Sequence, residues 1–324
     1  MPQVFVTREI PAVGLELLKE AGLTVSVFSG ALPIPRAELL LAVVGCSALI
    51  TTVADTVDEA LLAAAGPSLR VVANFAVGTN NIDIAACTQR QVVVSNTPDV
   101  LTEATADLTF ALLLAAARRL LEGAALVRSG RWQGWEPLQL LGLELHGQTI
   151  GIIGLGRIGQ AVAKRALGFG MEVLYYSRTR NQAAESALGV RYAPLTELLA
   201  SSDFVSLHTP LTTDTRHLLG EAELRLMKPS AVIINTARGP VVDEAALCRA
   251  LQEGRLWGAG LDVFEHEPQL TPGLTELPNV VLAPHLGSAT ISARNSMARL
   301  CAEAVIAVLR GSRPKTLVNP EVYG

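Results

Sequence analysis

The apolar positions of this chain fall into short runs that alternate with helical stretches. In the first hundred residues the runs Val4–Thr7, Thr24–Phe28, Ala48–Thr52, Arg70–Phe75 and Gln91–Ser95 read as strands. Helical patterns lie between them: one after Pro11, one from Pro35 to Val44, one from Asp58 to Ala65 and one around Ile82–Arg90. Alternation of this kind predicts a parallel sheet covered on both faces. The turn cluster Asn96-Thr97-Pro98-Asp99 then predicts a first hinge.

One long helical pattern follows, Thr102 to Arg128, apolar on most sides from Phe110 to Ala117 and therefore largely buried. Ser129 to His146 is irregular and holds Trp132, Trp135 and Pro137. A second alternating unit starts with a strand at Thr149–Ile153. It continues through strands at Glu172–Tyr176, Asp203–His208, Ala231–Thr236, Leu256–Asp262 and Asn279–Ala283. A last helix, about Ile291–Arg310, precedes a tail containing Gly and Pro. The chain shows no internal repeat and no low-complexity tract.

The strand Thr149–Ile153 runs straight into Gly154-Leu155-Gly156-Arg157-Ile158-Gly159, which opens a helix. Each glycine of such a loop has its own task. The first permits a tight turn, the second lets the backbone approach a pyrophosphate, and the third lets helix and strand pack closely. The helix then turns its N-terminal N–H groups and positive dipole end toward the phosphates. A glycine pattern alone is weak evidence, but one held between a strand and a helix predicts a dinucleotide site. About 150 residues precede it, enough for a separate domain.

Composition narrows the class without changing this picture. Half of the 324 residues are hydrophobic, 17% are charged and the net charge is −4. This gives no basic excess to hold nucleic acid or an anionic membrane. The four cysteines, Cys46, Cys87, Cys248 and Cys301, are scattered and form no C-x-x-C pair, as expected of buried, reduced thiols. The N-terminus lacks the charged and apolar regions of a signal peptide. The stretch from Leu39 to Val53 is shorter than the ~20 residues a spanning helix needs. These features predict a cytoplasmic protein without a membrane span.

Cofactor choice is read at the end of the second strand of the second unit. NAD-binding units place an acid there to hold the ribose 2′-hydroxyl. Here the segment is Ser177-Arg178-Thr179-Arg180. A carboxylate would repel a 2′-phosphate, whereas hydroxyls and guanidinium groups would hold it. The expectation is NADP(H) in preference to NAD(H), with NAD(H) still possible.

Three further segments lie at predicted C-terminal ends of strands, where ligands bind in open α/β sheets. They are Asn235-Thr236-Ala237-Arg238-Gly239, Leu261-Asp262-Val263-Phe264-Glu265-His266-Glu267-Pro268 and Ala283-Pro284-His285-Leu286-Gly287-Ser288-Ala289-Thr290. A cation, a carboxylate and a histidine would converge near the nicotinamide. The run Glu265-His266-Glu267 lacks the i, i+4 spacing and distant partners of a metal site, so no metal is expected. His146 and His217 are expected at the surface.

Together with Val77-Gly78-Thr79-Asn80-Asn81-Ile82-Asp83, Thr97-Pro98-Asp99-Val100-Leu101-Thr102, Ser202-Asp203 through Pro210-Leu211-Thr212, and Met227-Lys228-Pro229, these segments carry a resemblance. The chain resembles the D-isomer-specific 2-hydroxyacid dehydrogenases, and most of all their glyoxylate/hydroxypyruvate reductase branch. The matching motifs span nearly the whole chain in order. Arg238 precedes Glu267 by 29 residues and His285 follows Glu267 by 18, as in glycerate-dehydrogenase-like members. The departure from NAD-using members is the missing acid at Ser177–Arg178.

The resemblance implies two α/β domains with a cleft between them that closes about hinges at Pro98 and Gly287–Ala289. A flavodoxin-like substrate domain would take residues 1–98 and 288–324, and a Rossmann domain with a doubly wound parallel sheet residues 99–287. The reaction implied is reduction of a small 2-oxo acid, glyoxylate or hydroxypyruvate. Arg238 would bind the carboxylate and carbonyl oxygen, and His285 would protonate that oxygen. Glu267 would pair with His285, fixing the ring and raising its pKa. Val53, Ser288 and the backbone N–H groups of Val77 and Gly78 would also meet the substrate.

For the cofactor, the resemblance adds Thr105, His208, Thr209, Pro210, Thr215, Thr236, Ala237, Asp262 and Gly287 to the glycine loop and to Ser177, Arg178 and Thr179. His208 reads equally as a structural histidine. Trp135 lies in a segment that, in the reductase branch, reaches into the partner subunit's active site. With the apolar Leu138, Leu140 and Leu141 it implies a homodimer. Phosphite dehydrogenases share the Arg/Glu/His set, and C-terminal-binding corepressors use the same fold as NAD-gated binding modules, so both stay open as alternatives.

Overall fold

The structure is a computed structural model that describes residues 3–30 and 32–324. The chain divides into two compact units, Met1–Leu101 with Ala289–Gly324, and Thr102–Ser288.

The first unit opens with β1 (Gln3–Val6), α1 (Ala12–Glu20), β2 (Thr24–Val27), α2 (Arg36–Ala42) and β3 (Ala48–Thr51). It continues with α3 (Glu59–Ala65), β4 (Val71–Asn74), α4 (Ile84–Gln89) and β5 (Val93–Ser95). The strands pair in parallel in the order β2-β1-β3-β4-β5, the flavodoxin-like arrangement. Every residue of β3 and β4 is buried, which explains their unbroken apolar runs: both faces are covered. Helix starts follow capping chemistry, with Asp58 accepting from the Leu61 N–H and Asp83 from the Ala86 N–H.

The second unit begins with α5 (Thr102–Ala117) and α6 (Leu120–Arg128), where the apolar pattern predicts one continuous helix. The helix breaks because its backbone finds another partner. The Ala117 carbonyl, which a continuous helix would give to Leu121, accepts instead from the Leu143 N–H at 2.9 Å. Arg119 then takes a left-handed φ of 52° and its guanidinium pairs with Glu122 at 2.6 Å. A pairing with a residue so far along the chain leaves no trace in helical periodicity.

Beyond the irregular stretch come β6 (Thr149–Ile153), α7 (Arg157–Gly168), β7 (Glu172–Tyr176), α8 (Gln182–Leu188), β8 (Arg191–Tyr192) and α9 (Leu195–Ser201). These are followed by β9 (Phe204–Leu207), α10 (Glu221–Leu226), β10 (Val232–Asn235), α11 (Glu244–Gln252), β11 (Gly258–Leu261) and β12 (Val280–Leu282). The seven parallel strands run β12-β11-β10-β9-β6-β7-β8, so the order reverses between β6 and β9, beside the glycine loop. That reversal is where a doubly wound sheet opens a crevice for ligand. Phe204, Ile150, Ile152 and Tyr175 are fully buried at its centre. The short β8 has too few residues to show a period.

The chain then returns to the first unit as α12 (Ile291–Leu309), which packs on α1 and β4. Its tail covers the edge strand β5. Leu317 bridges Ser95, and the Val318 N–H donates to the Val94 carbonyl at 2.9 Å. Covering an edge in this way removes a template for pairing with another chain. The fully buried Asn319 completes the cover: its oxygen accepts from the Val94 N–H at 2.7 Å and its amide donates to the Val92 carbonyl at 2.9 Å. Asn319→Ala strands both buried backbone groups, so the variant should be less stable by about 1–3 kcal/mol, measured by denaturant unfolding. Unchanged stability would mean that the tail does not seal this edge.

Candidate active site

The glycine loop has the geometry its spacing predicts. Gly154 turns with φ 98°, and a Cβ there would sit 2.7 Å from the His208 carbonyl carbon. A Cβ on Gly159 would fall 2.1 Å from the Gly154 oxygen, so helix and turn touch at backbone distance. Gly156 differs: beyond its chain neighbours no described protein atom lies within 4 Å of the position its Cβ would take. A glycine with open space beside it, at the N-terminus of a twelve-residue helix, fits a pyrophosphate that approaches the backbone.

At the end of β7 the Leu155 N–H donates to Ser177 Oγ at 2.9 Å, which ties the glycine loop to the strand terminus. Arg178 and Thr179 are exposed. Arg180, the second arginine of this turn, is committed elsewhere. It forks onto Glu185 at 2.8 and 2.7 Å and lies 5.7 Å from the centre of the Tyr192 ring. Arg180, together with the Tyr175 hydroxyl, pushes the Glu185 carboxyl down to about 2. Among the described residues Arg178 forms no ion pair.

Arg238, Glu267 and His285 come from the loops after β10, β11 and β12. Parallel pairing of these strands delivers all three to one edge of the sheet. His285 has a left-handed φ of 55° and its N–H donates to the Asp262 carbonyl at 2.9 Å. Its Nδ1 meets Glu267 Oε2 at 2.9 Å, with each side chain about a third exposed. The other carboxylate oxygen of Glu267 accepts from the Phe264 N–H at 3.0 Å. Burial pushes the Glu267 carboxyl up, but the His285 hydrogen bond and charge, the Phe264 N–H and the Arg238 charge together leave it below its ordinary value. Burial also lowers the Arg238 pKa, opposed by the Glu267 charge. The Arg238 Nη1 donates to the Ala237 carbonyl at 2.6 Å.

The neighbouring polar groups are largely engaged with backbone. Asp262 is fully buried, and its two oxygens accept from the Leu286 N–H at 2.5 Å and the Gly287 N–H at 2.8 Å. Burial raises its pKa against those two bonds. The Thr105 hydroxyl donates to the Gly287 carbonyl at 3.1 Å. The Thr109 hydroxyl donates to the Thr105 carbonyl, which leaves Thr236 to donate to Thr109 at 2.9 Å. The Ala237 N–H donates to the Asn235 side chain, and Ser288 follows Gly287 half-buried.

Sequence reasoning assigns Asp262 and Thr105 to the cofactor. It misses that both brace the segment after His285, because a side chain's backbone partners leave no motif. His208 is pushed down to about 3 by burial and pairs with Ser206 Oγ at 2.8 Å, a structural histidine's environment. Next to it Thr209 is half-buried and Pro210 exposed. The Thr215 hydroxyl donates to the Pro210 carbonyl at 2.6 Å.

In the first unit, Val77 and Gly78 lie after β4 and Val53 after β3. Asn96 donates to the Val77 carbonyl at 2.7 Å and Asn74 to the Gly78 carbonyl at 2.8 Å. With both carbonyls held, this turn is fixed in orientation, and the two asparagines are supports that sequence reasoning misses. Val53 and Val77 are exposed. Trp135, in the irregular stretch of the second unit, is 82% exposed. Among the described residues no three His, Cys, Asp or Glu side chains are grouped as metal ligands.

The model of the D-isomer specific 2-hydroxyacid dehydrogenase NAD binding domain matches residues 110–287. A glyoxylate reductase of Thermococcus litoralis is 53% identical, over 99% of this chain and 98% of its own. This chain belongs to the D-isomer-specific 2-hydroxyacid dehydrogenase family. The crystal structure of a Thermus thermophilus protein superposes with a TM-score of 0.92 at 50% identity, covering 98% of this chain and 99% of that one. The NADPH-dependent glyoxylate/hydroxypyruvate reductase of Sinorhizobium meliloti, solved in complex with NADP and malonate, gives 0.87 at 37% identity over 99% and 97%. The dehydrogenase is therefore an oxidoreductase of the glyoxylate reductase branch with a nicotinamide-dinucleotide domain.

A carboxylate-paired imidazole beside a half-buried guanidinium can bind an anionic oxo compound and exchange a proton with its oxygen. The depressed Glu267 carboxyl also contributes to stability. Its folded pKa lies below the unfolded value of about 4.3, so that contribution is present above this pH and fades as pH falls through the folded pKa. The melting-temperature difference between the wild type and Glu267→Gln should therefore shift against the wild type below about pH 4. A difference constant across that range would mean that the carboxylate is not held by His285 and Arg238.

Proposed function

We propose that this dehydrogenase reduces glyoxylate and hydroxypyruvate to glycolate and D-glycerate, with NADPH as the preferred cofactor. The observation that carries the reading is the 2.9 Å contact between His285 Nδ1 and Glu267, made beside Arg238. Arg238 binds the substrate's carboxylate and carbonyl oxygen, and its burial keeps water from weakening that attraction. Glu267 accepts a hydrogen bond from Nδ1–H and so fixes the ring, which leaves Nε2 to give a proton to the carbonyl oxygen. Nicotinamide, when bound, supplies the hydride for C2. Reduction uses the imidazolium and oxidation the neutral ring, so the two directions respond oppositely to pH. A small oxo acid is supported by the names of the relatives.

The dinucleotide would be held along Gly154, Leu155, Gly156, Arg157, Ile158 and Gly159, with Ser177, Arg178 and Thr179 around the 2′-phosphate. The NADPH preference rests on the lack of a carboxylate at the end of β7 and on the pairing of Glu185 with Arg180. Arg178 is the arginine left to meet a phosphate. Thr236, Ala237 and Gly287 would line the nicotinamide end, and Thr209, Pro210 and Thr215 the adenosine side. Assays with glyoxylate, hydroxypyruvate and phosphite, each with NADPH and NADH, test the reading. The oxo acids with NADPH should give the highest kcat/KM, reduction should fall and oxidation rise as pH increases, and His285→Gln should cost ~10²-fold or more. Equal or better use of NADH would refute the cofactor preference, turnover of phosphite alone would replace the substrate, and no turnover would favour a binding role.

We also infer a homodimer. Leu120, Leu121, Val127, Trp132, Trp135, Leu138 and Leu141 are all substantially exposed, and α6 has no buried residue despite its apolar content. An apolar surface of this kind calls for a partner, and a second copy supplies one of matching chemistry. Sedimentation should give twice the chain mass, and Leu121→Glu with Trp135→Glu should shift it toward the monomer. A wild-type monomer at micromolar concentration would refute the assembly. The four cysteines are free and buried, as suits a reducing cytoplasm, and among the described residues no helix is long and apolar enough to cross a membrane.

A further inference from the structure

The loop carrying Glu267 is held by a second carboxylate, whose oxygens accept from backbone N–H groups. Glu244 is the first residue of α11, six positions after Arg238, and is 4% exposed. One of its oxygens accepts from the Glu265 N–H at 2.9 Å and the other from the Thr271 N–H at 2.9 Å. Glu265 and Thr271 bracket Glu267 on either side. A single buried carboxylate thus closes the loop at both ends and anchors it to the helix that follows Arg238.

Further contacts show that the joint is built. The Arg238 loop and the Glu267 loop meet at backbone distance, since a Cβ on Gly239 would lie 1.9 Å from the Phe264 carbonyl carbon. Glu265 returns the contact: its Oε2 accepts from the Glu244 N–H at 3.4 Å and its Oε1 meets His217 Nε2 at 2.6 Å, with Arg216 at 3.4 Å. The His217 backbone in turn donates to the Pro240 carbonyl at 2.8 Å, on the Arg238 side. Charge-assisted bonds to backbone N–H groups are among the stronger polar contacts a buried carboxylate makes. The charged groups around Glu267 itself are His285, Arg238 and Asp262.

We propose that Glu244 is a positioning residue: it sets where Glu267 stands relative to Arg238 and His285, and so how the imidazole is held, without meeting substrate. This rests on the reading of Glu267 and His285 as the acid–base pair. Displacing Glu267 by an ångström weakens its hold on the ring, and misplacement of that size is costly in catalysis.

The test is a double-mutant cycle of Glu244→Gln and Glu267→Gln, with Glu244→Ala alongside, each followed over pH in the reduction direction. Glu244→Gln keeps the size and one acceptor oxygen, so it guards against loss of the fold. Glu244→Gln should lower kcat several-fold and Glu244→Ala by about tenfold or more, with the KM for the dinucleotide unchanged. The alkaline limb of the profile should move to lower pH in both. In the Glu267→Gln background the Glu244→Gln effect should vanish, because the two act through one group. Additive losses, or a lowered melting temperature with an unmoved pH profile, would reduce Glu244 to a structural residue and overturn the inference. If Glu267→Gln itself left rate and profile unchanged, the acid–base reading would fall instead.

Discussion

The site depends on how closely the loop after β10 can lie against the loop after β11. Parallel pairing brings both loops to the same edge of the sheet, but it leaves them a strand spacing apart, about 4.8 Å. At Gly239 and Phe264 the two backbones close to direct contact, which only a residue without a Cβ permits. Arg238 is adjacent to one side of that contact and Glu267 lies three residues beyond the other. The charge of each is felt by the other, and the electrostatics of the site follow from this approach.

Close approach brings a second demand, because every buried backbone N–H in these loops needs an acceptor. Carboxylates provide it three times over. Asp262 takes the N–H groups of Leu286 and Gly287, Glu244 takes those of Glu265 and Thr271, and Glu267 takes that of Phe264. Of these three, Glu267 is the one whose side chain also pairs with an imidazole. The division of labour is set by location: the fully buried Asp262 and nearly buried Glu244 serve the backbone, whereas the partly exposed Glu267 has an oxygen left for His285.

This explains what was legible in the sequence and what was not. Strand and helix alternation reads directly as two parallel sheets, since buried strands need apolar runs and amphipathic helices need period. The glycine loop reads because Gly154 and Gly159 answer distances that no other residue meets, and the placement of Arg238, Glu267 and His285 after strand ends reads from the apolar runs that precede them. Pairings that no local pattern demands stay hidden, whether the residues are near or far in sequence. The Leu143–Ala117 bond that splits α5 from α6, the Arg180–Glu185 fork and the Glu244 brace each join segments whose local patterns are complete without the partner. The turn after β7 shows the cost: its two arginines look alike in sequence, yet one is tied to Glu185 and only the other remains for a ligand.

The same logic bears on how cofactor preference can change in such a scaffold. Ser177 does double duty, since its Oγ accepts the Leu155 N–H and so shapes the glycine loop. An aspartate at this position could accept that bond as well, and would add the charge that repels a 2′-phosphate. Arg178 and Thr179, exposed and free of the loop's own bonding, can vary without disturbing it. On the proposed cofactor reading, a preference for the phosphorylated dinucleotide would rest on residues that the fold does not need, next to one residue that it does.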